Sequence, residues 1–256
     1  EIRGVSLRNW QKSEHEIVEL FYYKFQDTPL LMRMDAVMEY VVDEYETLRD
    51  RSISEEDQFS LKEQFDRMYV TRDIYRIYSD FIERLGYPAL PDVPPEKRII
   101  EYEDVFPMLY LKYRLTGRAK QQKIKHLVID EMQDYSYLQY TILSYLFSCR
   151  MTILGDRAQT MEEKQQDVWK FLPKIFGRDI KKIELKKSYR NTAEIGRYAG
   201  ALIGIREPEL LERHGSAVEE ISFSKMEEAA DLVAHYAEHD LEKYETIAVL
   251  TRTEEQ

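Results

Sequence analysis

The chain has 256 residues, 43% hydrophobic and 33% charged, the make-up of a soluble, core-forming protein of one large or two smaller domains. Its 48 acidic against 37 basic side chains, a net charge of -11, argue against a general nucleic-acid coat but leave room for a local basic groove. Cys149 is the single cysteine, which excludes a disulfide framework and a cysteine zinc cluster, and no apolar run reaches the roughly 18 residues of a membrane helix. A reducing, cytoplasmic setting is the expectation. The chain opens on Glu1 with no visible signal peptide, and it is expected to be a piece of a longer protein.

Up to about residue 118 the pattern predicts helices. Ser13-Glu14-His15-Glu16 reads as a capping box ahead of IVELFYYKF. Pro29 opens a long helix through Arg49, with Met34, Val37, Met38, Val41, Val42 and Tyr45 at helical spacing. Ser54 caps EEDQFSLKEQFDRMY, and Thr71 caps RDIYRIYSDFIERL, which stops at Gly86 and Pro88. Four prolines between positions 88 and 95 break the chain. A further helix runs from Tyr102 to Leu115, interrupted or started late by Pro107.

From about residue 119 the texture changes. IKHLVID (124–130), MTILGD (151–156) and, more weakly, KKIEL (181–185) read as strands, with a helix from Tyr137 to Ser148 between the first two. A helix at NTAEIGRYAGALI is followed by a strand at EEISFS, a helix at KMEEAADLVAHYAEH and a strand at ETIAVLTR. Alternation of this kind predicts an α/β fold with a parallel sheet.

Ligands of open parallel sheets gather at the carboxyl ends of the strands. Asp130 and Glu131 stand at that end of HLVI, and adjacent acids there suit magnesium and an attacking water. A solvated strand end is the alternative for that pair taken alone. The next strand ends on Gly155-Asp156 with Gln159 three residues on, and LKKSYRNT brings Arg190 to the start of another α/β segment. Acids, a polar residue and an arginine at successive strand ends compose a γ-phosphate constellation.

VIDEMQD, TILGDRAQT, LKKSYRNT and IAVLTRT resemble, in order and spacing, helicase motifs II, III, IV and IVa of the superfamily 1, UvrD/Rep-like ATPases, over residues 124 to 253. The resemblance implies ATP and magnesium as cofactors, Asp130 as magnesium ligand and Glu131 as catalytic base. It implies Gln159 as γ-phosphate sensor coupled to DNA, and Arg190 as an arginine finger from a second RecA-like domain. Gln133 and Asp134 complete the DExxD-like block, and with Asp156 and Tyr189 they fall on the nucleotide side. The implied fold is α/β, RecA-like (P-loop NTPase-type) parallel sheet portions with a large all-α insertion. The insertion is placed at 1–118, the tail of the first RecA-like domain at 119–184 and the opening of the second at 185–256.

Two departures refine this. The usual motif III continues into an aromatic that touches a base, whereas GDRAQTMEE places Met161 and Glu162 there, and a glutamate repels phosphate. With YEDVFPMLYLKYRLTG upstream, these variants are similar to the HelD-like branch, which implies nucleic acid (DNA) and/or RNA polymerase as partner, an ordinary UvrD/Rep-type DNA helicase in DNA repair being the alternative. Secondly, none of the nine glycines is followed by lysine, so the phosphate cradle G-x-x-x-x-G-K-[ST] is absent from these residues. A non-enzymatic, helicase-like interaction module is the reading from another class.

HYAEH matches a zinc-protease pattern but lacks a third ligand, and an amphipathic helix accounts for it. Lys112, Arg114, Arg118, Lys120, Lys123 and Lys125 form one basic run, and Lys181, Lys182, Lys186, Lys187 and Arg190 another. Either could face phosphates or be a solvated helix end and loop. Tyr69, Tyr75, Tyr78 and Phe81, at helical spacing with Ile74, Ile77 and Leu85, read as core rather than as a stacking platform. Because no phosphate cradle is present, these 256 residues alone are expected to hydrolyse no ATP in a phosphate-release assay; Glu131-dependent turnover would overturn this.

Overall fold

The first element is a strand rather than a helix. In the computed structural model, which describes residues 1–117, 123–156, 159, 168–204, 209–251 and 253, the chain divides into two units, Glu1–Lys181 and Lys182–Gln256. In the first unit, β1 (Val5–Leu7) pairs antiparallel with β2 (Trp10–Lys12), Val5 opposite Lys12 and Leu7 opposite Trp10. This corrects the all-helical expectation for the first 118 residues. Val5 and Leu7 are buried and Ser6 is exposed, a period-two pattern too short to stand out beside helix signals. The turn holds Arg8 at φ 54, where a residue with a Cβ is strained. A two-pronged ion pair offsets that strain: Arg8 Nε donates to Asp57 Oδ1 at 3.1 Å, and a terminal nitrogen lies 2.9 Å from Oδ2.

α1 (Glu14–Glu19) starts on the expected capping box: Glu16 N–H donates to Ser13 Oγ at 3.3 Å and Ser13 N–H to Glu16 Oε2 at 2.8 Å. The helix does not continue to Phe25 in α form. It passes into a π-helical turn, Leu20–Lys24, closed by Phe25 N–H on Leu20 O at 2.9 Å. Phe21 faces the core, while Tyr22 and Tyr23 face solvent. α2 (Leu30–Arg49) follows Pro29 as expected and buries Leu31, Met34, Val37, Val41 and Tyr45 on one stripe. Met38 and Val42 only flank that core. α3 (Glu55–Asp66), capped by Ser54, adds Leu61 and Phe65 to the cluster of Val5, Ile17, Phe21, Met34, Val37, Val41 and Met68.

α4 (Ile74–Arg84) is capped by Asp73 instead of Thr71. Tyr75 N–H donates to Asp73 Oδ1 at 3.0 Å, and Thr71 Oγ1 accepts the Asp73 N–H at 3.0 Å. Arg98 Nη1 also donates to Asp73 Oδ1 at 3.0 Å, and the Arg98 guanidinium holds the carboxyl below its ordinary range. Tyr75 and Tyr78 are buried as expected, but Phe81 and Leu85 are exposed because α4 buries a narrower stripe. α5 (Tyr102–Thr116) runs unbroken through Pro107.

The α/β part of this unit follows: β3 (His126–Ile129), α6 (Tyr137–Leu146), β4 (Arg150–Ile153) and α7 (Val168–Phe176). β3 and β4 run parallel, with His126 opposite Arg150 and Ile129 opposite Ile153. α6 ends before the expected Ser148 because Phe147 is already extended. Ile129, Tyr140, Val168, Phe171 and Leu172 form its core. α5 meets α6 through Tyr110 stacked on Tyr145, ring centroids 5.9 Å apart, and Arg114 Nη1 donates to Tyr145 Oη at 3.2 Å.

In the second unit, β5 (Lys187–Ser188), α8 (Ala193–Leu202) and β6 (Glu209–Leu210) make a β-α-β turn, with Lys187 opposite Glu209 in parallel. α8 and β6 meet so closely that a Cβ on Gly196 would lie 2.4 Å from Leu210 Cδ2. α9 (Met226–Asp240) matches the expected helix. The strands expected at 181–185 and 219–224 do not form, and none forms over the described residues 245–251. A strand is defined by its ladder, and no described segment pairs with these; Ile183, Leu185 and Leu250 are exposed. No described helix is long and apolar enough to cross a membrane.

Leu61 is completely buried and Val70 is 96% exposed. Leu61→Ala is expected to cost about 2–5 kcal/mol in urea unfolding of the first unit, and Val70→Ala less than about 0.5 kcal/mol.

Candidate active site

Two parallel strand ends build the site. Beyond Ile129 and Ile153 the pairing continues: Leu154 N–H donates to Ile129 O at 2.8 Å, and Met132 N–H donates to Leu154 O at 2.8 Å. The loop after β3 is thereby pinned on the loop after β4. Gly155 permits the contact, since a Cβ there would sit 2.6 Å from the Met132 backbone nitrogen and 2.7 Å from Gln133 Oε1.

Between the pinned points the chain turns sharply. Glu131 takes φ 51 and ψ 51, left-handed for a residue with a side chain. Glu131 N–H donates to Asp130 Oδ1 at 2.9 Å, and Asp134 N–H donates to Glu131 O at 3.0 Å, closing a 3-10 turn over Met132–Asp134. Met132 is buried, and its carbonyl accepts the Tyr140 hydroxyl at 3.1 Å. Burial pushes the Tyr140 phenol well above its ordinary range, so it stays a donor. Ser136 caps α6 with a second capping box, Ser136 N–H donating to Gln139 Oε1 at 2.7 Å.

The side chains above this frame are linked. Gln133 Nε2 donates to Glu131 Oε2 at 2.7 Å, and Gln133 Oε1 accepts the Asp156 N–H at 3.1 Å. Gln159 Nε2 donates to Asp156 Oδ2 at 2.9 Å. Four sequence-identified residues, Glu131, Gln133, Asp156 and Gln159, therefore form one relay, with Asp130 at its edge. Asp134 is exposed, and its carboxylate has no hydrogen-bond or ion-pair partner among the described residues. Sequence reasoning missed Tyr140 and the role of Gly155. Tyr140 sits eight residues from the carbonyl it holds, and no motif spacing marks it.

Tyr189 and Arg190 belong to the second unit, directly after the carboxyl end of β5, and both are exposed. The start of α8 is tied down there. Thr192 caps it, and Glu194 accepts from Gly215 N–H at 2.9 Å and bonds His214 Nδ1 at 2.8 Å. The His214 bond, then the Gly215 N–H, lower the Glu194 carboxyl to about 2. Met161 and Glu162, and Arg118 and Lys120 of the first basic run, lie outside the described residues. His235 and His239 share one face of α9, ring centroids 4.2 Å apart.

Magnesium takes oxygen ligands, one or two carboxylates with water and phosphate oxygens completing the shell. Asp130 uses Oδ1 on a backbone N–H, and Oδ2 has no protein hydrogen bond among the described residues. No three acidic, histidine or cysteine side chains converge as a cage among them. A single carboxylate beside a hydrogen-bonded Glu131 fits an ion shared with a bound phosphate.

Residues 10–161 match the UvrD/REP helicase N-terminal domain, more than half of the chain. The chain is also 27% identical over 199 residues to the DNA helicase II of Haemophilus influenzae, a match covering 72% of this chain and 26% of that protein. The chain thus spans about a quarter of the length of the curated relative it matches.

Gly155→Ala forces a Cβ against the Met132 backbone nitrogen as well as against the Met132 and Gln133 side chains. The expected result is a loss of about 1–3 kcal/mol with faster hydrogen exchange at the Met132 and Asp156 amides; unchanged exchange would refute the pinning.

Proposed function

Because the chain belongs to the UvrD/REP helicase N-terminal domain family, we propose that its first unit carries the magnesium-and-water half of an ATP site in a superfamily 1 nucleic-acid translocase. The observation that carries this reading is the relay Glu131–Gln133–Asp156–Gln159 across two parallel strand ends. In this reading residues 1–118 are an insertion, helical after its opening hairpin, 119–184 the tail of one RecA-like domain and 185–256 the opening of a second.

Asp130 holds the magnesium ion, which when bound neutralises phosphate charge. Glu131 accepts a proton from the attacking water or orients it, with its carboxylate aimed by Gln133. Gln159 reads the γ-phosphate from the β4 loop. Arg190, directly after β5, is proposed as the residue that supplies positive charge to the transferring group, with Tyr189 beside it in the chain. The phosphate cradle G-x-x-x-x-G-K-[ST] is supplied from outside these 256 residues.

For the partner, we propose a HelD-like role, ATP-driven displacement of RNA polymerase from nucleic acid. Support comes from GDRAQTMEE, whose Glu162 stands where a base-stacking aromatic is usual, and from the acidic balance of the chain. A second reading, an ordinary DNA helicase, is favoured by the similarity to a DNA helicase II.

In the whole gene product that carries this sequence, Glu131→Gln is expected to lower ATP turnover by at least about 100-fold with nucleotide still bound. Turnover insensitive to Glu131 would refute the site, and no turnover in the wild-type gene product would leave the non-enzymatic module. Retention of core RNA polymerase with weak single-stranded DNA affinity supports the HelD-like role; tight, steeply salt-dependent DNA binding without polymerase supports the helicase.

A further inference from the structure

Gln133 stands between the two loops of the proposed site, and the chemistry of its partners fixes which way its amide points. The Asp156 N–H can only donate, so it must face Gln133 Oε1, 3.1 Å away. The Glu131 carboxylate, when ionised, can only accept, so it must face Gln133 Nε2, 2.7 Å away. Reversing the amide would set two acceptors together on one side and two donors on the other. The half-buried side chain is therefore held in one orientation, with its carbonyl oxygen and one of its amide hydrogens engaged by protein.

Gly155 and Asp156 make the second half of the device. The missing Cβ at Gly155 leaves the space that Gln133 Oε1 fills, since a Cβ would lie 2.7 Å from it. Asp156 uses its backbone toward Gln133 and its carboxylate toward Gln159 Nε2 at 2.9 Å. The left-handed backbone of Glu131 leaves its side chain without support from a regular element, and among the described residues Gln133 is the side chain that bonds its carboxylate.

Resting on the functional reading above, we propose that Gln133 is a positioning residue rather than a nucleotide contact: it holds the Glu131 carboxylate in register with the Gly155–Asp156 loop and so transmits the position of Gln159 to it. A displacement of Gln159 by a phosphate would move Asp156, shift the acceptor of Gln133 and re-aim Glu131. The chain of contacts is side chain to backbone to side chain, with no gap longer than 3.1 Å.

Gln133→Met keeps the length and removes both bonds; Gln133→Glu keeps the acceptor for Asp156 and replaces the donor to Glu131 with a like charge. In the whole gene product, both variants are expected to lower kcat for ATP hydrolysis about 10- to 100-fold. The Kd for a fluorescent ATP analogue with magnesium should stay within about twofold of wild type. Backbone hydrogen exchange at 154–156 should rise in Gln133→Met and stay protected in Gln133→Glu, which also serves if the methionine variant folds poorly. The double variant Gln133→Met/Gln159→Ala should be no slower than the slower single variant. A tenfold weaker Kd, a multiplicative double variant, or wild-type kcat in either single variant would each overturn the positioning role. If Glu131→Gln leaves turnover intact, the functional reading falls and this inference with it. If Glu131→Gln is inactive while Gln133→Met is not, the inference alone falls.

Discussion

The geometry of the candidate site depends on one backbone hydrogen bond, Met132 N–H to Leu154 O at 2.8 Å. It lies just past the last paired residues of β3 and β4, where a parallel ladder would ordinarily let its strands diverge. With the bond made, the chain after Ile129 must return to the neighbouring loop within three residues. The left-handed conformation of Glu131 is the consequence, because an extended residue there would carry Met132 away from Leu154. The bond also requires a glycine at position 155, whose Cβ would otherwise meet the same nitrogen.

Strain of this kind persists only where surrounding contacts outweigh it. Here they come from both sides of the turn. Asp130 Oδ1 takes the Glu131 N–H, and the buried Tyr140 donates to the Met132 carbonyl from α6. Tyr140 is itself set by ring contacts with Tyr135, Phe171 and Phe176, at centroid distances of 5.5, 5.9 and 6.1 Å. Apolar packing beneath the strands thus holds a polar arrangement above them. Acidic side chains end up at the carboxyl ends of parallel strands, the place where α/β sheets bind ligands.

The helical part of the first unit is built on separate terms. Its core is a stripe of α2 against α3 and the opening hairpin, and charged side chains fasten its corners: Arg8 to Asp57, Arg72 to Asp35 and Arg98 to Asp73. It reaches the α/β part through α5, whose Tyr110 and Arg114 meet Tyr145 on α6. α6 is also the helix that carries Tyr140. One helix therefore touches the helical part through Tyr145 and the site through Tyr140, which gives a packed route between them.

The acids at the strand ends and the long helices were legible in the sequence because their signals are local. Ser13 and Ser54 each cap the turn that follows, the stripe of α2 is a 3.6-residue period, and Asp130-Glu131 follows an apolar run of strand length. The hairpin at Val5–Lys12 escaped because three alternating residues a side carry too little pattern. The expected strands at 181–185 and 219–224 failed for the opposite reason: β-branched composition is local, but a strand exists only through a hydrogen-bonded neighbour, which composition does not specify. The sequence by itself determined which side chains stand at the ends of β3 and β4, since order along the chain and strand-like runs place them there, whereas β5 at Lys187–Ser188 lies past the strand expected at 181–185. Only the tertiary structure decided that Gln133 joins Glu131 to Asp156, that Gly155 must lack a side chain and that Tyr140 supports the turn. Apart from the Gln133–Glu131 bond, those are contacts between residues 8 to 23 apart, made by through-space packing that no local spacing encodes.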